Sequence, residues 1–72
     1  MTSAQVRAAR GLLDWSVREL AERAGLHRNT ITNFETGKYA GDERTLSVIK
    51  ETLEAAGVQF TNGKRPGVRL IG

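Results

Sequence analysis

Several residue types are scarce or missing in this chain of 72 residues. It has no cysteine, one histidine, one proline and only four Phe, Trp and Tyr residues together. Without cysteine it forms neither a disulfide nor a thiolate zinc site, which suits a reducing cytoplasm. It has no run of about 18 apolar residues to span a bilayer, and no signal-peptide pattern opens it. The sequence therefore predicts a soluble, intracellular protein.

The same scarcity argues against an enzyme. One histidine, no carboxylate pair at ligand spacing and no glycine-rich phosphate loop leave no set of groups that could carry a reaction. RNA binding usually depends on exposed aromatic platforms, which the pattern does not provide. We therefore expect no catalytic residue, no metal and no cofactor.

The chain is short and its charge is unevenly distributed. A domain of this size rarely gains more than about 3–5 kcal/mol of net stability from its core, so its helices pack efficiently or a second copy adds buried surface. The net charge is +3. Residues 1–41 hold six Lys/Arg against four Asp/Glu, residues 42–57 hold two against four, and residues 58–72 hold three basic side chains and no acid. The first and last segments are therefore the candidates for contact with a polyanion.

The most informative stretch is 16–38, SVRELAERAGLHRNTITNFETGK. Ser16 as an N-cap, with Glu19 completing a capping box, predicts the start of a helix, and Gly25 stands where a left-handed residue ends one. A second helix begins at residue 27 or 28 and is stopped by Gly37. Two short helices joined by a tight turn are typical of a helix-turn-helix, whose second helix lies in the DNA major groove.

A further helix is predicted on each side of this motif. Thr2 and Gln5 form a weak capping box for the first helix, and Gly11 in its interior costs about 1 kcal/mol relative to Ala, which we attribute to close packing against a neighbouring helix. Asp42 caps the fourth helix, which runs to about Ala56. The expected apolar positions are Val6, Ala9, Leu12 and Leu13 in the first helix and Leu46, Ile49, Leu53 and Ala56 in the fourth.

The end of the chain changes to alternating strand patterns at 58–60 and 68–70, which predict a β-hairpin. A two-residue turn at 62–63 would place Pro66 inside the ladder, where proline cannot donate a hydrogen bond. We therefore expect a longer loop over 61–67. An isolated hairpin is marginal in water, so this one packs on the helices, pairs with another chain, or does both. The expected register pairs Phe60 with Val68 and Val58 with Leu70.

With these elements placed, the sequence resembles the phage-repressor (Cro/XRE-like) helix-turn-helix family over roughly residues 3–57. The resemblance rests on the motif L-A-x-x-A-G-L-x-x-x-T-I-x-x-F-E-x-G-K, on an Arg in helix 1 and on a fourth amphipathic helix after a basic loop. It implies a mostly α fold, a compact four-helix domain of the lambda-repressor-like type, here with a C-terminal β-hairpin in place of the usual fifth helix. Residues 1–57 would form the DNA-binding domain, and 58–72 a hairpin packed on it or used in dimerisation.

The second helix of the motif presents polar side chains away from the face that carries Ile31 and Phe34. Arg can donate two hydrogen bonds to guanine, and Asn can bond the N6 and N7 atoms of adenine. Helix N-termini and the loop after helix 3 are expected to contact phosphates. The base-reading candidates are Arg28, Asn29, Thr32 and Asn33, and the phosphate candidates are Ser16, Val17, His27, Lys38, Tyr39 and Arg44.

The resemblance also implies a structural ion pair between Arg10 of helix 1 and Glu35 near the end of helix 3. For the C-terminal segment two interpretations stay open. Its cations either add phosphate contacts or suppress aggregation of the sheet edge, and the 68–71 edge can equally pair with a second copy. These cations are Lys64, Arg65 and Arg69.

Together these features imply a sequence-specific DNA-binding transcriptional regulator. The expected protein is a cytoplasmic, nucleoid-associated repressor of bacterial or phage type, a homodimer that inserts helix 3 into the major groove of a palindromic operator, with no membrane partner. The alternative is an antitoxin or other small interaction module whose partner is a toxin or part of the transcription machinery. That alternative is motivated by the short chain, which has no separate effector domain, and by the unusual hairpin.

Overall fold

The computed structural model describes residues 1–71, and these form four helices followed by one antiparallel hairpin. The predicted fold class, mostly α with a C-terminal β-hairpin, is confirmed. No helix in the described residues is both long and apolar enough to cross a membrane. The elements are α1 (Ser3–Leu13), α2 (Val17–Ala24), α3 (Arg28–Glu35), α4 (Glu43–Ala55), β1 (Val58–Thr61) and β2 (Gly67–Leu70).

The helices begin where short polar residues can accept a hydrogen bond from a free backbone amide. Thr2 and Gln5 form the complete capping box predicted for α1, and Asp42 caps α4 through the backbone amide of Thr45 at 2.7 Å. That hydrogen bond is the main reason why the pKa of the Asp42 carboxyl lies below its usual value.

At α2 the predicted capping box forms only in part. The Ser16 hydroxyl accepts from the backbone amide of Glu19 at 3.0 Å, as expected. The carboxylate of Glu19 instead accepts a hydrogen bond from Arg23 one turn further on, at 3.3 Å. The Glu19 side chain thus pairs with the oppositely charged Arg23 four residues on and does not complete the capping box.

All four helices and β1 contribute large, fully buried side chains to one apolar core. Leu13 is half-buried beside it, as are Leu46 and Ala56. Leu12 was expected to widen the apolar face of α1, and this prediction is wrong, because 43% of the residue is exposed to solvent. The buried hydrophobic residues are Val6, Ala9, Leu20, Ala21, Ile31, Phe34, Ile49, Leu53 and Val58.

The hairpin has the register predicted from the sequence. Val58 pairs with Leu70 and Phe60 pairs with Val68, so the apolar side chains of both strands share one face. Pro66 lies in the connecting loop and not in the ladder, which removes the conflict with the missing amide. A loop longer than two residues is therefore confirmed, but it covers 62–66 and not 61–67, because Thr61 and Gly67 pair as the last residues of the ladder.

One buried side chain of α1 holds the hairpin against the helices. The amide of Gln5 donates to the carbonyl oxygens of Thr61 and Gly67, at 2.9 and 3.0 Å, while its own oxygen accepts from the backbone of Thr2 at 2.7 Å. Thr61 and Gly67 are the pair that closes the ladder next to the loop. Gln5 therefore joins the start of α1 to the loop end of the hairpin.

We expect Gln5→Leu to lower the free energy of unfolding by about 1–3 kcal/mol, because buried polar groups would lose their partners. Amide hydrogen exchange measured by NMR should show faster exchange in the hairpin than in the helices. Gln59→Leu is the matched control, since Gln59 lies on the hairpin's outer face and contacts Arg69. Equal effects of the two substitutions would contradict the anchoring role of Gln5.

Candidate nucleic-acid interface

Helix α3 is divided sharply into a buried face and an exposed face. Ile31, Phe34 and Glu35 are buried, whereas the four predicted base-reading side chains are all exposed. His27 caps the helix, with its Nδ1 atom accepting from the backbone amide of Asn29 at 3.1 Å. The cap uses the backbone of Asn29 and leaves its side chain free to face outward. The exposed set is Arg28, Asn29, Thr32 and Asn33.

The turn between α2 and α3 is held by a left-handed glycine and a backbone hydrogen bond. Gly25 adopts a left-handed conformation, with φ of 68°, which a side chain would disfavour. The backbone amide of Leu26 then bonds the carbonyl of Ala21 at 2.9 Å, and the Leu26 side chain is half-buried against the core. This hydrogen-bonded turn of three residues, 25–27, separates the end of α2 from the start of α3.

An ion pair joins α1 to the C-terminal end of α3. Arg10 approaches Glu35 with two nitrogens, Nε at 2.7 Å from Oε2 and Nη2 at 2.6 Å from Oε1. The third nitrogen, Nη1, donates to the carbonyl of Trp15 at 3.0 Å. The hydrogen bond to Glu35 raises the pKa of the Arg10 guanidinium above its usual value, so it stays charged. The Glu35 side chain is only 5% exposed and that of Arg10 20%, so the pair is largely shielded from water.

Sequence reasoning missed a second arginine at this junction. Arg7, one turn before Arg10, donates a hydrogen bond to the backbone carbonyl of Glu35. Glu35 ends α3, and the last carbonyls of a helix lack partners within the helix itself. The spacing of the two arginines on one side of α1 is the only sequence signal for this contact.

The loop after α3 is held close to the base-reading candidates. The backbone amides of Lys38 and Tyr39 both donate to the carbonyl of Asn33, at 2.8 and 3.0 Å. The Tyr39 hydroxyl accepts from the backbone amide of Asp42 at 3.1 Å, which links the loop to the start of α4. The backbone of Lys38 is therefore held at the C-terminal end of α3, and its side chain is exposed there.

The other phosphate candidates lie at helix starts. Ser16 and His27 are exposed and are the N-caps of α2 and α3, Val17 is the half-buried first residue of α2, and Arg44 is exposed in the first turn of α4. Exposed backbone amides at such positions carry partial positive charge and suit an anion.

The tail cations occupy a different part of the molecule. Lys64 and Arg65 are exposed in the hairpin loop, and Arg69 donates from Nε to the side chain of Gln59. The hairpin contacts α1 through Gln5, whereas α3 contacts α1 through Arg7 and Arg10. These cations therefore stand on the other side of α1 from the junction with α3.

Trp15, the single tryptophan, is half-buried against the core rather than free to stack on a base. The guanidinium of Arg23 lies over its ring, 4.4 Å from the centroid. Within residues 1–71 no three His, Asp or Glu side chains are grouped as metal ligands. The exposed face of α3 and the adjoining loop offer amides, hydroxyls and cations, which is the chemistry of hydrogen bonding to base edges and phosphates.

Comparison with known families agrees with this geometry. A family model described as helix-turn-helix matches residues 6–57, which include all four helices except the first three residues of α1. The search of curated proteins finds no match.

Proposed function

Because this chain belongs to the helix-turn-helix family of the Cro/XRE type, whose members bind DNA, we propose that it is a repressor that occupies a palindromic operator as a homodimer. The observation that carries the proposal is the exposed face of α3. Four polar side chains stand there in two successive helical turns, clear of the core residues of the same helix. A helix with an exposed polar face of this kind fits the major groove, which is about 12 Å wide.

The contacts divide into two groups with different tasks. Arg28, Asn29, Thr32 and Asn33 would hydrogen-bond to base edges and so determine the preferred sequence. Contacts from the flanking positions would fix the helix on the duplex without selecting a sequence. These positions are Ser16, Val17, His27, Lys38, Tyr39 and Arg44.

A homodimer explains how so small a surface could specify an operator. Eight residues of α3 reach only a few base pairs, whereas two copies read two half-sites about 34 Å apart. A dimer that occupies an operator overlapping a promoter excludes polymerase without any effector domain. Repression by occupancy therefore requires only the DNA-binding unit and a second copy.

The proposal is tested by measuring affinity for a duplex recovered by selection from random sequences, at several salt concentrations. Phosphate contacts release counterions, so the logarithm of the affinity should fall linearly with the logarithm of the salt concentration. Lys38→Ala should weaken binding to all sequences and reduce the slope by about 1.

Lys50→Ala is the matched control, because Lys50 is exposed on α4 within the acidic segment. Its slope should equal that of the unsubstituted protein. Selection that recovers no preferred sequence, together with capture of a stoichiometric protein partner, would overturn the proposal in favour of an antitoxin-like module.

A further inference from the structure

One face of α1 is both exposed and free of charge. Ala4, Ala8, Gly11 and Leu12 recur at i, i+4, i+7 and i+8, so they share one side of the helix, and all four are exposed. A surface helix normally presents polar and charged side chains to water. This face of α1 therefore differs from the usual solvent-exposed face of a helix.

One exposed apolar side chain of β2, that of Leu70, lies on the same sheet face as Val68 and extends this face of α1 onto the sheet. Among the described residues the large hydrophobic residues most open to solvent are Leu12, Leu70 and Ile71, which are 43%, 49% and 54% exposed. Ala8 and Val68 line the same shallow groove between α1 and β2. Leu12 follows Ala8 by one turn on the same side of α1, and Leu70 follows Val68 by two residues on the same face of β2. Ile71 follows Leu70 in extended backbone and therefore points to the opposite face of the sheet. We call Ala4, Ala8, Gly11, Leu12 and Leu70 the apolar patch.

Gly11 lies within this patch, and no described residue packs into the space left by its missing side chain. The sequence predicts that this interior glycine allows close packing with another helix, and within residues 1–71 that prediction is wrong. A Cβ atom built at Gly11 meets no atom within 4 Å. The room left by the missing side chain therefore opens outward, next to Leu12, where a second molecule could approach the backbone of α1.

The outer edge of β2 is also unpaired in the described part of the chain. The backbone amide of Ile71 donates to the carbonyl of Gly57 at 2.8 Å, which makes these two a hydrogen-bonded pair. Hydrogen-bonded and non-hydrogen-bonded pairs alternate along an antiparallel ladder. Val68 and Leu70 therefore belong to non-hydrogen-bonded pairs, and their backbone amides and carbonyls point away from β1. An edge of this kind is a template for a further strand.

We propose that the apolar patch and the free edge of β2 form the surface through which two copies of this chain associate about a two-fold axis. The inference deepens the proposed function, which requires a homodimer. The edge suits a second copy of this chain. When two β2 strands pair antiparallel, each strand offers the other the same backbone donors and acceptors. Two chains of charge +3 repel each other, and this uncharged patch lets them meet with the least repulsion.

The position of the patch also suits two half-sites. Gln5 contacts the hairpin from one side of α1, and Arg7 and Arg10 contact Glu35 of α3 from another, so association through β2 leaves the exposed face of α3 uncovered. Half-sites about 34 Å apart place each α3 about 17 Å from the axis. The molecule measures 28 × 24 × 19 Å, which allows that distance.

The edge groups restrict the register of the two strands. If the two-fold axis passed through Arg69, the two copies of Arg69 would lie opposite each other and their like charges would repel. If the axis passed through Val68, Leu70 would lie opposite Pro66, which has no amide to donate. An axis through Leu70 avoids both conflicts and brings the two Leu70 side chains together. Hydrogen-bonded partners have Cα atoms about 5.5 Å apart, within the range of a disulfide.

Sedimentation equilibrium of the free protein tests the proposal. The unsubstituted chain should have twice its monomer mass of 7.9 kDa. Leu70→Glu and Leu12→Glu should each raise the dimer dissociation constant at least tenfold, with helical circular dichroism retained. Ser47→Glu, which adds the same charge at an exposed site of α4, should remain dimeric. A monomer for the unsubstituted chain, or dimers for both leucine variants, would overturn the proposal.

Because the chain has no cysteine, a single introduced thiol reports proximity without background. Leu70→Cys should form a disulfide-linked dimer under mild oxidation, and Ser47→Cys should not. Absence of a cross-link at position 70 would overturn the register. Both measurements use protein without DNA, so a failure of the proposed operator binding would leave their results unchanged and remain distinguishable from a failure of this interface.

Discussion

Glu35→Ala should lower the free energy of unfolding by about 3 kcal/mol, a large share of the total available to a domain of this size. The substitution leaves the Arg10 guanidinium charged and poorly hydrated beside the core, without the two hydrogen bonds at 2.6 and 2.7 Å that compensate its burial. The cost comes mainly from this stranded charge. Urea denaturation followed by circular dichroism measures it.

Two controls separate the buried pair from ordinary charge effects. Glu22→Ala removes the partner of Arg18 in an exposed i, i+4 pair and should cost no more than about 1 kcal/mol. The double variant Arg10→Met, Glu35→Leu should recover much of the stability, because apolar replacements of a buried pair are often neutral. A loss for Glu35→Ala no larger than that for Glu22→Ala would contradict a buried structural role.

Arg28→Ala and Asn33→Ala should each weaken binding to the selected operator by about 1–3 kcal/mol, roughly 5- to 150-fold, and relax the preference at one base position of each half-site. Both side chains are exposed, so their loss should leave the folded structure intact. Fluorescence anisotropy with the selected duplex and with single-base variants of it measures both effects.

Asn62→Ala provides the matched control, because Asn62 is equally exposed but lies in the hairpin loop. It should bind the operator as the unsubstituted chain does. Asn33→Ala should also keep its weak affinity for unrelated DNA, since a base contact carries no part of that binding. Uniform weakening on every duplex would instead assign Asn33 to the phosphate contacts.

Much of the fold could be predicted because its signals are local. The caps at Thr2 and Asp42 act within three residues, and the register of the hairpin follows from alternation and from the missing amide of Pro66. Such patterns depend little on the rest of the chain. They placed every helix and strand close to its observed bounds.

The errors and omissions involve contacts between distant segments. Leu12 is of a residue type that is usually buried, but the face of α1 on which it lies is exposed. Gln5 reaches carbonyls 56 and 62 residues away, and Arg7 reaches one 28 residues away. No local pattern encodes these partners, because they depend on how the elements pack. The base and phosphate contacts remain predictions, since they involve atoms of a second molecule.

The bond between Gln5 and Gly67 encloses a loop of 62 residues, nearly the whole described chain. Closing a loop of that length has an entropic cost. Other contacts must offset this cost before the bond becomes favourable. Helices form from near neighbours within about a microsecond, whereas this contact has to wait for both partners. We expect a chain emerging from the ribosome to build α1 to α4 first and to dock the hairpin last. The step that completes the molecule would then also be the step that creates the edge of β2.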